Sequence, residues 1–327
     1  MHRTLTTAIL LLAACAPSAS PPPASPPGVA PAEPNDNRAA AGSERRGVRS
    51  VHLEARLAAW RPDLDVDSAL TVQAFAEAGG APRIPGPLLR VREGDELRVT
   101  VRNSIPDSTL VVHGLRAGTA ADDTIAVAPG AVRELRVTAG APGTYLYWGT
   151  TTGSTLGVRW DRDAQLTGAI VVDPRGAAPD TAERVFVMTT TDVYPDSSDP
   201  RRRGTTDDAW EIAINGRSWP HTERLAHAVG DTVRWRWLNG TYRSHPMHLH
   251  GFHFAVTARG NGRADTAYAA GAAQVVVTEL MPVGATMAMR WTPTRAGNWL
   301  FHCHMAAHMT PWPPRPDSVR HAGHDPA

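Results

Sequence analysis

The stretch FHCHMAAHM, residues 301–309, places three histidines, one cysteine and two methionines in nine positions. A second histidine-rich stretch, SHPMHLHGF, covers residues 244–252. Imidazole and thiolate side chains at such short spacing are typical of a metal site. Which metal they suit depends on which of them share a face.

Alternation along a β-strand sorts these side chains, because successive residues point to opposite faces. In FHCH the two histidines share one face and Cys303 takes the other. In SHPMHLHGF, His248 and His250 share a face, whereas His245 falls on the opposite one. The pattern therefore predicts two separate groups of ligands.

The first group is one thiolate with two imidazoles, from His245, Cys303 and His308, which is the ligand set of a blue-copper electron-transfer site. The second group has imidazoles alone and suits further copper; its members are His248, His250, His302 and His304. Since His302 and His304 are bonded neighbours of Cys303, the two groups are joined by a short covalent route for an electron. Structural histidines or a zinc site are the alternative interpretation.

The amino end indicates export. Residues 1–15, MHRTLTTAILLLAAC, combine one arginine with a short apolar run, too short to span a bilayer as a mature helix. The ending Leu12-Ala13-Ala14-Cys15 resembles a bacterial lipobox, which predicts a lipid-anchored Cys15 on the periplasmic or outer side of a bacterial membrane; an ordinary cleaved signal is the alternative. Cys303 then has no disulfide partner.

Composition favours an all-β chain. With 33 basic and 32 acidic residues the formal net charge is +1, which gives no electrostatic basis for nucleic-acid binding. The 28 prolines, the 28 glycines and the shortage of helix-period runs favour short strands with many turns. Residues 16–47 are rich in Pro, Ala and Ser without core-forming residues, so we expect a disordered tether there.

An internal repeat predicts one β-sandwich used twice. GDELRVTVRN, residues 94–103, matches GDTVRWRWLN, residues 230–239, and both alternate apolar and polar residues. PGAVRELRVTAGAPGTYLYWGT, residues 129–150, matches VGATMAMRWTPTRAGNWLFHCH, residues 283–304. We therefore expect one domain over residues 48–173, a second over 182–316, and a disordered tail over 317–327.

HPMHLHGF and HCHMAAH resemble the two carboxy-terminal copper motifs of the multicopper oxidases. IPGPLLRVREGDELRVTVRN, VVHGL and GTYLYWG are similar to the amino-terminal cupredoxin domain of that family. The resemblance covers residues 48–312 and implies two consecutive cupredoxin-like Greek-key β-sandwiches. Small two-domain members of that family are generally trimers. It also implies one-electron oxidation of a small reductant, a phenol or a metal ion, with dioxygen as the final acceptor.

The same resemblance implies copper sites residue by residue. His245, Cys303 and His308 match the ligands of the type 1 copper, which passes electrons to a trinuclear cluster. His248 matches a ligand of the type 2 copper. The ligands of the type 3 copper pair are matched by His113, His250, His302 and His304. Cys303 with its neighbours His302 and His304 would carry the electron between the sites.

The amino-terminal half departs from the family pattern. VVHGL, residues 111–115, lies opposite HLHGF in the repeat, so His113 corresponds to His250 but Val111 stands where the family has histidine. In the same way Trp148 and Thr150 replace two further histidines. A full trinuclear cluster is therefore in doubt, and a blue-copper electron-transfer or copper-binding protein is the alternative function.

Two smaller features complete the comparison. Pro313 occupies the position of the axial type 1 ligand and offers no side-chain donor, while Met309 lies at the wrong spacing. A nitrite reductase-like two-domain copper enzyme fits less well, because the blue site of that family lies in the first domain, which has no cysteine here.

Overall fold

The computed structural model describes residues 28–64, 69–116, 118–119, 124–178, 180–193, 209–269, 271–305 and 308. The regular secondary structure of these residues is almost entirely β-strand, with short 3₁₀ turns at Leu156–Val158 and Arg162–Gln165. The predicted all-β class is confirmed. The described part of the chain contains no helix with the length and apolar character that a bilayer crossing requires.

Twelve strands can be described up to residue 173. They are β1 (Glu33–Pro34), β2 (Ser43–Arg45), β3 (Val48–Trp60), β4 (Leu70–Glu77), β5 (Pro82–Ile84), β6 (Leu89–Arg92), β7 (Glu96–Asn103), β8 (Leu110–His113), β9 (Ile125–Val127), β10 (Val132–Thr138), β11 (Gly143–Thr150) and β12 (Thr167–Asp173). One sheet has the order β1-β5-β4-β3-β7-β10, with β2 added beside β3, and the other has the order β6-β12-β11-β8-β9.

The described strands after residue 173 repeat this two-sheet arrangement. They are β13 (Arg184–Val193), β14 (Ala209–Ile214), β15 (Val233–Asn239), β16 (His245–Leu249), β17 (Phe254–Gly260), β18 (Asp265–Ala267), β19 (Gln274–Val276), β20 (Thr278–Met281), β21 (Thr286–Trp291) and β22 (Phe301–Cys303). The larger sheet has the order β14-β13-β15-β21-β17-β18, with β19 beside β17, and the smaller has the order β20-β16-β22.

Strand alternation builds the core of each half. Leu97, Val99 and Val101 of β7 are buried, and the polar side chains between them are partly or fully exposed. Val233 begins the same pattern in β15, as the sequence predicts. In each half the inward residues of both sheets join one apolar cluster, which is the mark of a sandwich. The smaller second-half sheet thereby lies with one face on the core.

A further apolar cluster joins the two halves. Leu146 and Val171, from the first half, pack with Val187 and Leu238 from the second. Trp148, at the end of β11, packs half-buried against this cluster. β11 is therefore held by apolar contacts across the junction between the halves.

The prediction of a disordered tether over residues 16–47 is wrong for residues 28–47, while residues 1–27, including Cys15, lie outside the described residues. β1 pairs with β5, and β2 pairs with β3. Asn35 and Asn37 are buried, and the amide of Asn37 donates to the side-chain oxygen of Asn215 and the carbonyl of Val185, at 3.2 and 3.4 Å. Hydrogen bonds across the two halves order a segment that has few apolar residues.

Candidate metal centre

Three short strands position the copper-type side chains. β16 lies between β20 and β22, and its register pairs His248 with His302 and Met247 with Cys303. Cross-strand partners lie on the same face of a sheet. The thiol of Cys303 therefore shares the core-facing side with Met247, whereas His248 and His302 lie on the other side, as the alternation predicts.

His245, Cys303 and His308 lie together on the core-facing side. Their donor atoms all lie within 4.8 Å of one another, and within the described residues this is the one group of three or more such side chains packed so closely. The Sγ atom of Cys303 is 3.4 Å from Nδ1 of His308, and the rings of His245 and His308 have centroids 4.7 Å apart. We name this group the thiolate pocket.

Hydrogen bonds settle which nitrogen of His245 faces the thiolate pocket. The Thr241 hydroxyl lies 2.8 Å from Nε2 of His245 and is also within donating distance of the Asn239 side-chain oxygen and the Arg243 carbonyl. Those two oxygens only accept, so the arrangement that satisfies the most hydrogen bonds gives the hydroxyl proton to one of them and has Nε2 of His245 donate to Thr241. Nδ1 of His245 is then unprotonated, buried and without a partner.

The protonation states suit a metal. Burial, with His308 and Arg243 nearby, lowers the pKa of His245 to about 3, so its imidazole is neutral at neutral pH. Burial also lowers the pKa of His308. The Cys303 thiol has a pKa raised by burial, so metal binding there releases a proton.

One thiolate and two neutral imidazoles that converge on one point fit copper. The unpartnered Nδ1 of buried His245 is the observation that supports the fit, since a buried polar atom without a partner is costly. Soft sulfur together with imidazole is the donor set of a blue-copper site. Pro313, at the position of the axial ligand, and Met309 lie outside the described residues.

The opposite side carries four imidazoles, which we name the imidazole face: His248, His250, His302 and His304. The ring centroids of neighbouring pairs are 4.9 to 5.9 Å apart. The Nε2 atoms of His250 and His302 are 2.8 Å apart. His250 and His304 are exposed and the other two are half-buried, so this side opens to solvent.

Outer contacts orient two rings of the imidazole face. Nδ1 of His248 is 2.8 Å from the Thr278 hydroxyl, and Nδ1 of His302 is 2.7 Å from the carbonyl oxygen of Cys303, to which it donates. A second ring nitrogen fixed in this way is usual for metal-binding histidines. Both rings are thereby set to present Nε2.

The amino-terminal half does not fit its share of a trinuclear cluster. Here β8 pairs with β11, and Trp148 is the cross-strand partner of His113. The two rings stack with centroids 3.9 Å apart and planes 9° apart. Thr150 is buried, and its hydroxyl donates to Asp163 over 2.7 Å. The positions where the family has further imidazoles hold a stacked indole and a bonded hydroxyl.

Sequence reasoning missed two residues of the centre. Thr241 fixes the ring of His245, and Thr278 fixes the ring of His248. Thr241 contacts His245 across a turn. Thr278 lies on β20, which pairs with β16 although Thr278 and His248 are some thirty residues apart in the sequence. No local pattern in the sequence marks either residue as a partner of a histidine.

Comparison with known proteins places this geometry in a family. Two family models described as multicopper oxidase match residues 78–177 and 190–311, which together make up more than half of the chain. The chain is 41% identical over 71 residues to Laccase-7 of Arabidopsis thaliana. The aligned stretch covers 20% of this chain and 12% of that protein.

Other similar proteins align over more of the chain but at lower sequence identity. A probable nitrite reductase-hydroxylamine oxidoreductase fusion protein of Kuenenia stuttgartiensis is 26% identical over 246 residues, 71% of this chain and 27% of that protein. This chain thus spans about a quarter or less of the length of these two relatives. The solved structure of the multicopper oxidase mgLAC shares the fold, with a TM-score of 0.64 at 20% identity over 82% of this chain and 83% of that one. By its two family-model matches, the chain belongs to the multicopper oxidase family.

Proposed function

We propose that this protein is a copper-dependent oxidoreductase that withdraws single electrons from a small reductant, a phenol or a metal ion, and delivers them to dioxygen. The thiolate pocket would hold the copper that meets the reductant, and the imidazole face would hold the copper that meets the acceptor. The observation that carries the proposal is the convergence of the three donor atoms of the pocket within 4.8 Å, with its cysteine bonded to a residue of the imidazole face.

Copper bound in the thiolate pocket would supply a centre that accepts and releases one electron at a time. The chain's own contribution is a neutral His245, held in one tautomer by Thr241, and a Cys303 that gives up its proton when it binds metal. The apolar core behind Cys303, which includes Met247, keeps that side of the pocket dry.

Cys303 also links the two sites. His302 directly precedes it in the chain and, through Nδ1, donates to the Cys303 carbonyl over 2.7 Å. The link therefore consists of one covalent path and one hydrogen bond, both within β22. Such a short connection supports transfer along the strand, from the core side to the solvent side.

A small reductant is supported by a cavity along β20, the strand that pairs with β16. A space of about 300 Å³ is lined in part by Arg259, Glu279, Leu280 and Met281. Met281 is the cross-strand partner of His245. The volume of the cavity lies at the lower end of the range for ligand pockets, so the cavity suits a single-ring phenol or a hydrated metal ion rather than a bulky partner.

The position of the protein in the cell is a separate part of the proposal. We propose that it is exported and anchored by lipid on Cys15 on the periplasmic or outer side of a bacterial membrane, and that it assembles as a homotrimer. The lipobox-like ending at Cys15 supports the anchor, and the resemblance to two-domain family members supports the trimer. Labelled fatty acid should be incorporated into the parent but not into Cys15→Ser, and light scattering should give three chains per particle.

A second candidate function is a blue-copper electron-transfer protein that lacks a functional trinuclear cluster. The stacking of Trp148 on His113 favours it, because that indole lies where the family has a metal-binding imidazole. Such a protein would exchange electrons with a partner and would consume no oxygen.

Oxygen uptake separates the two candidates. Copper-loaded parent protein is supplied with a one-electron phenolic reductant while dissolved oxygen is recorded. We expect uptake in the parent, loss of uptake with retained blue colour in His302→Ala, and loss of both in Cys303→Ser. A blue parent that takes up no oxygen would leave the electron-transfer function, and full turnover in His302→Ala would refute the role of the imidazole face.

A further inference from the structure

The amino-terminal positions that should complete a trinuclear cluster are occupied by a packed polar and aromatic network. Asp163 is fully buried and accepts from the hydroxyls of Thr150 and Thr152, over 2.7 and 2.8 Å. Thr150 therefore has a partner of its own. Its position could take part in metal binding only if this network broke.

A buried cation lies beside the same strand. Arg159 is 2% exposed and donates to the carbonyls of Gly149 and Leu166 over 2.8 and 2.9 Å. Its guanidinium carbon lies 5.1 Å from the ring centre of Trp148. Burial lowers the pKa of Arg159 to about 10, which leaves it charged at neutral pH. The buried positive charge of Arg159 opposes the binding of a second cation nearby, although the Asp163 carboxyl of the same network offsets part of it.

His113 is engaged by the same indole. Its ring lies flat on Trp148, which is itself packed on the apolar cluster between the two halves. The stack leaves the ring nitrogens of His113 untouched, but its neighbours Trp148 and Thr150 offer no second imidazole for a shared metal. The amino-terminal half therefore offers an arrangement suited to stability and not to metal binding.

The imidazole face, in contrast, brings two nitrogens to a spacing at which one ion can bind both, although no three of its donor atoms are as close as those of the thiolate pocket. Two nitrogens bound to one metal at about 2.0 Å and at right angles to each other lie about 2.8 Å apart, and Cu(II) favours such a tetragonal arrangement of nitrogen donors. Nε2 of His250 and Nε2 of His302 are 2.8 Å apart. His248 lies next to both, with ring centroids 4.9 and 5.7 Å away, and its Nδ1 is already engaged by Thr278.

We propose that the imidazole face holds a single copper ion within one chain, and that the amino-terminal half, His113 included, supplies no ligand to it. Each chain would then bind two coppers, one in the thiolate pocket and one on the imidazole face, in place of the four of a complete family member. The inference rests on the proposed function only in taking copper as the metal of both sites.

Copper counting on the full chain tests this inference. The protein is loaded with excess copper and desalted, total copper per chain is measured by mass spectrometry, and paramagnetic copper is integrated by electron paramagnetic resonance. We expect two coppers per chain, both paramagnetic when oxidised, one with the signature of thiolate ligation and one with that of nitrogen ligation. Three or four coppers per chain, or a spin count below the total copper, would overturn the inference.

Variants on the two halves make the test sharper. His113→Ala should still bind two coppers, whereas the double variant His250→Ala with His302→Ala should bind one and stay blue, which also shows that it is folded. A copper count that falls in His113→Ala would overturn the inference.

The same measurements distinguish this inference from the proposed function. One blue copper and nothing on the imidazole face would overturn the inference while the thiolate pocket stands. One nitrogen-bound copper that persists in Cys303→Ser supports the inference whatever the pocket holds.

Discussion

Burial of neutral His245 should make the stability of the copper-free protein depend on pH. The pKa of this imidazole is lowered to about 3 in the folded chain and is about 6.5 in an unfolded one. Between those values the unfolded state binds the extra proton, so stability is complete above pH 6.5 and is lost as the pH falls towards 3. At pH 4.5 the loss from this one group is about 3 kcal/mol.

His245→Gln isolates this contribution. Glutamine has no titrating proton in this range, and its amide can still donate to Thr241. Urea unfolding of copper-free protein, followed by tryptophan fluorescence at pH 7.5 and 4.5, gives the free energy of unfolding at each pH. We expect the parent to lose about 3 kcal/mol more than His245→Gln between the two pH values.

The control is His253→Gln, which removes an exposed histidine outside both copper groups. Its loss of stability between the two pH values should equal that of the parent. If His245→Gln and the parent lost the same free energy, His245 would not be held buried and neutral, and the reasoning about its free Nδ1 would be refuted.

Three further substitutions test other contacts. Thr241→Val removes the acceptor for His245 and should weaken copper binding in the pocket by about 10 to 100-fold in competition with a chelator; unchanged affinity would mean that the ring is fixed by packing. Arg159→Met removes the hydrogen bonds that Arg159 donates to three buried carbonyls and should cost about 3 kcal/mol in urea unfolding; a loss below 1 kcal/mol would contradict the network. Asn37→Ala should cost about 1 to 3 kcal/mol because Asn215 loses a buried partner, and no loss would show that residues 28–47 add little.

The strand pattern and the separation of Cys303 from its neighbouring histidines could be predicted from the sequence, because both depend on local alternation. Leu97 and Val99 are buried as the period of two requires, and the same parity separates Cys303 from His302. These features need no knowledge of long-range pairing.

Features that depend on distant partners could not be predicted. Asn35 and Asn37 lie in a Pro-rich segment whose composition indicates disorder, yet hydrogen bonds to distant strands order it. The two halves also differ in register: His248 pairs with His302, whereas their repeat counterparts, Val111 and Trp148, pair with other residues. A shift of two residues keeps every side chain on its face, so the repeat hides the shift.

The most direct measurement of the central claim is a crystal structure of the copper-loaded protein with anomalous data at the copper edge. We expect an anomalous peak bonded to Sγ of Cys303 and to Nδ1 of both His245 and His308. A peak bound elsewhere, with the Cys303 sulfur remote from any copper, would contradict the claim.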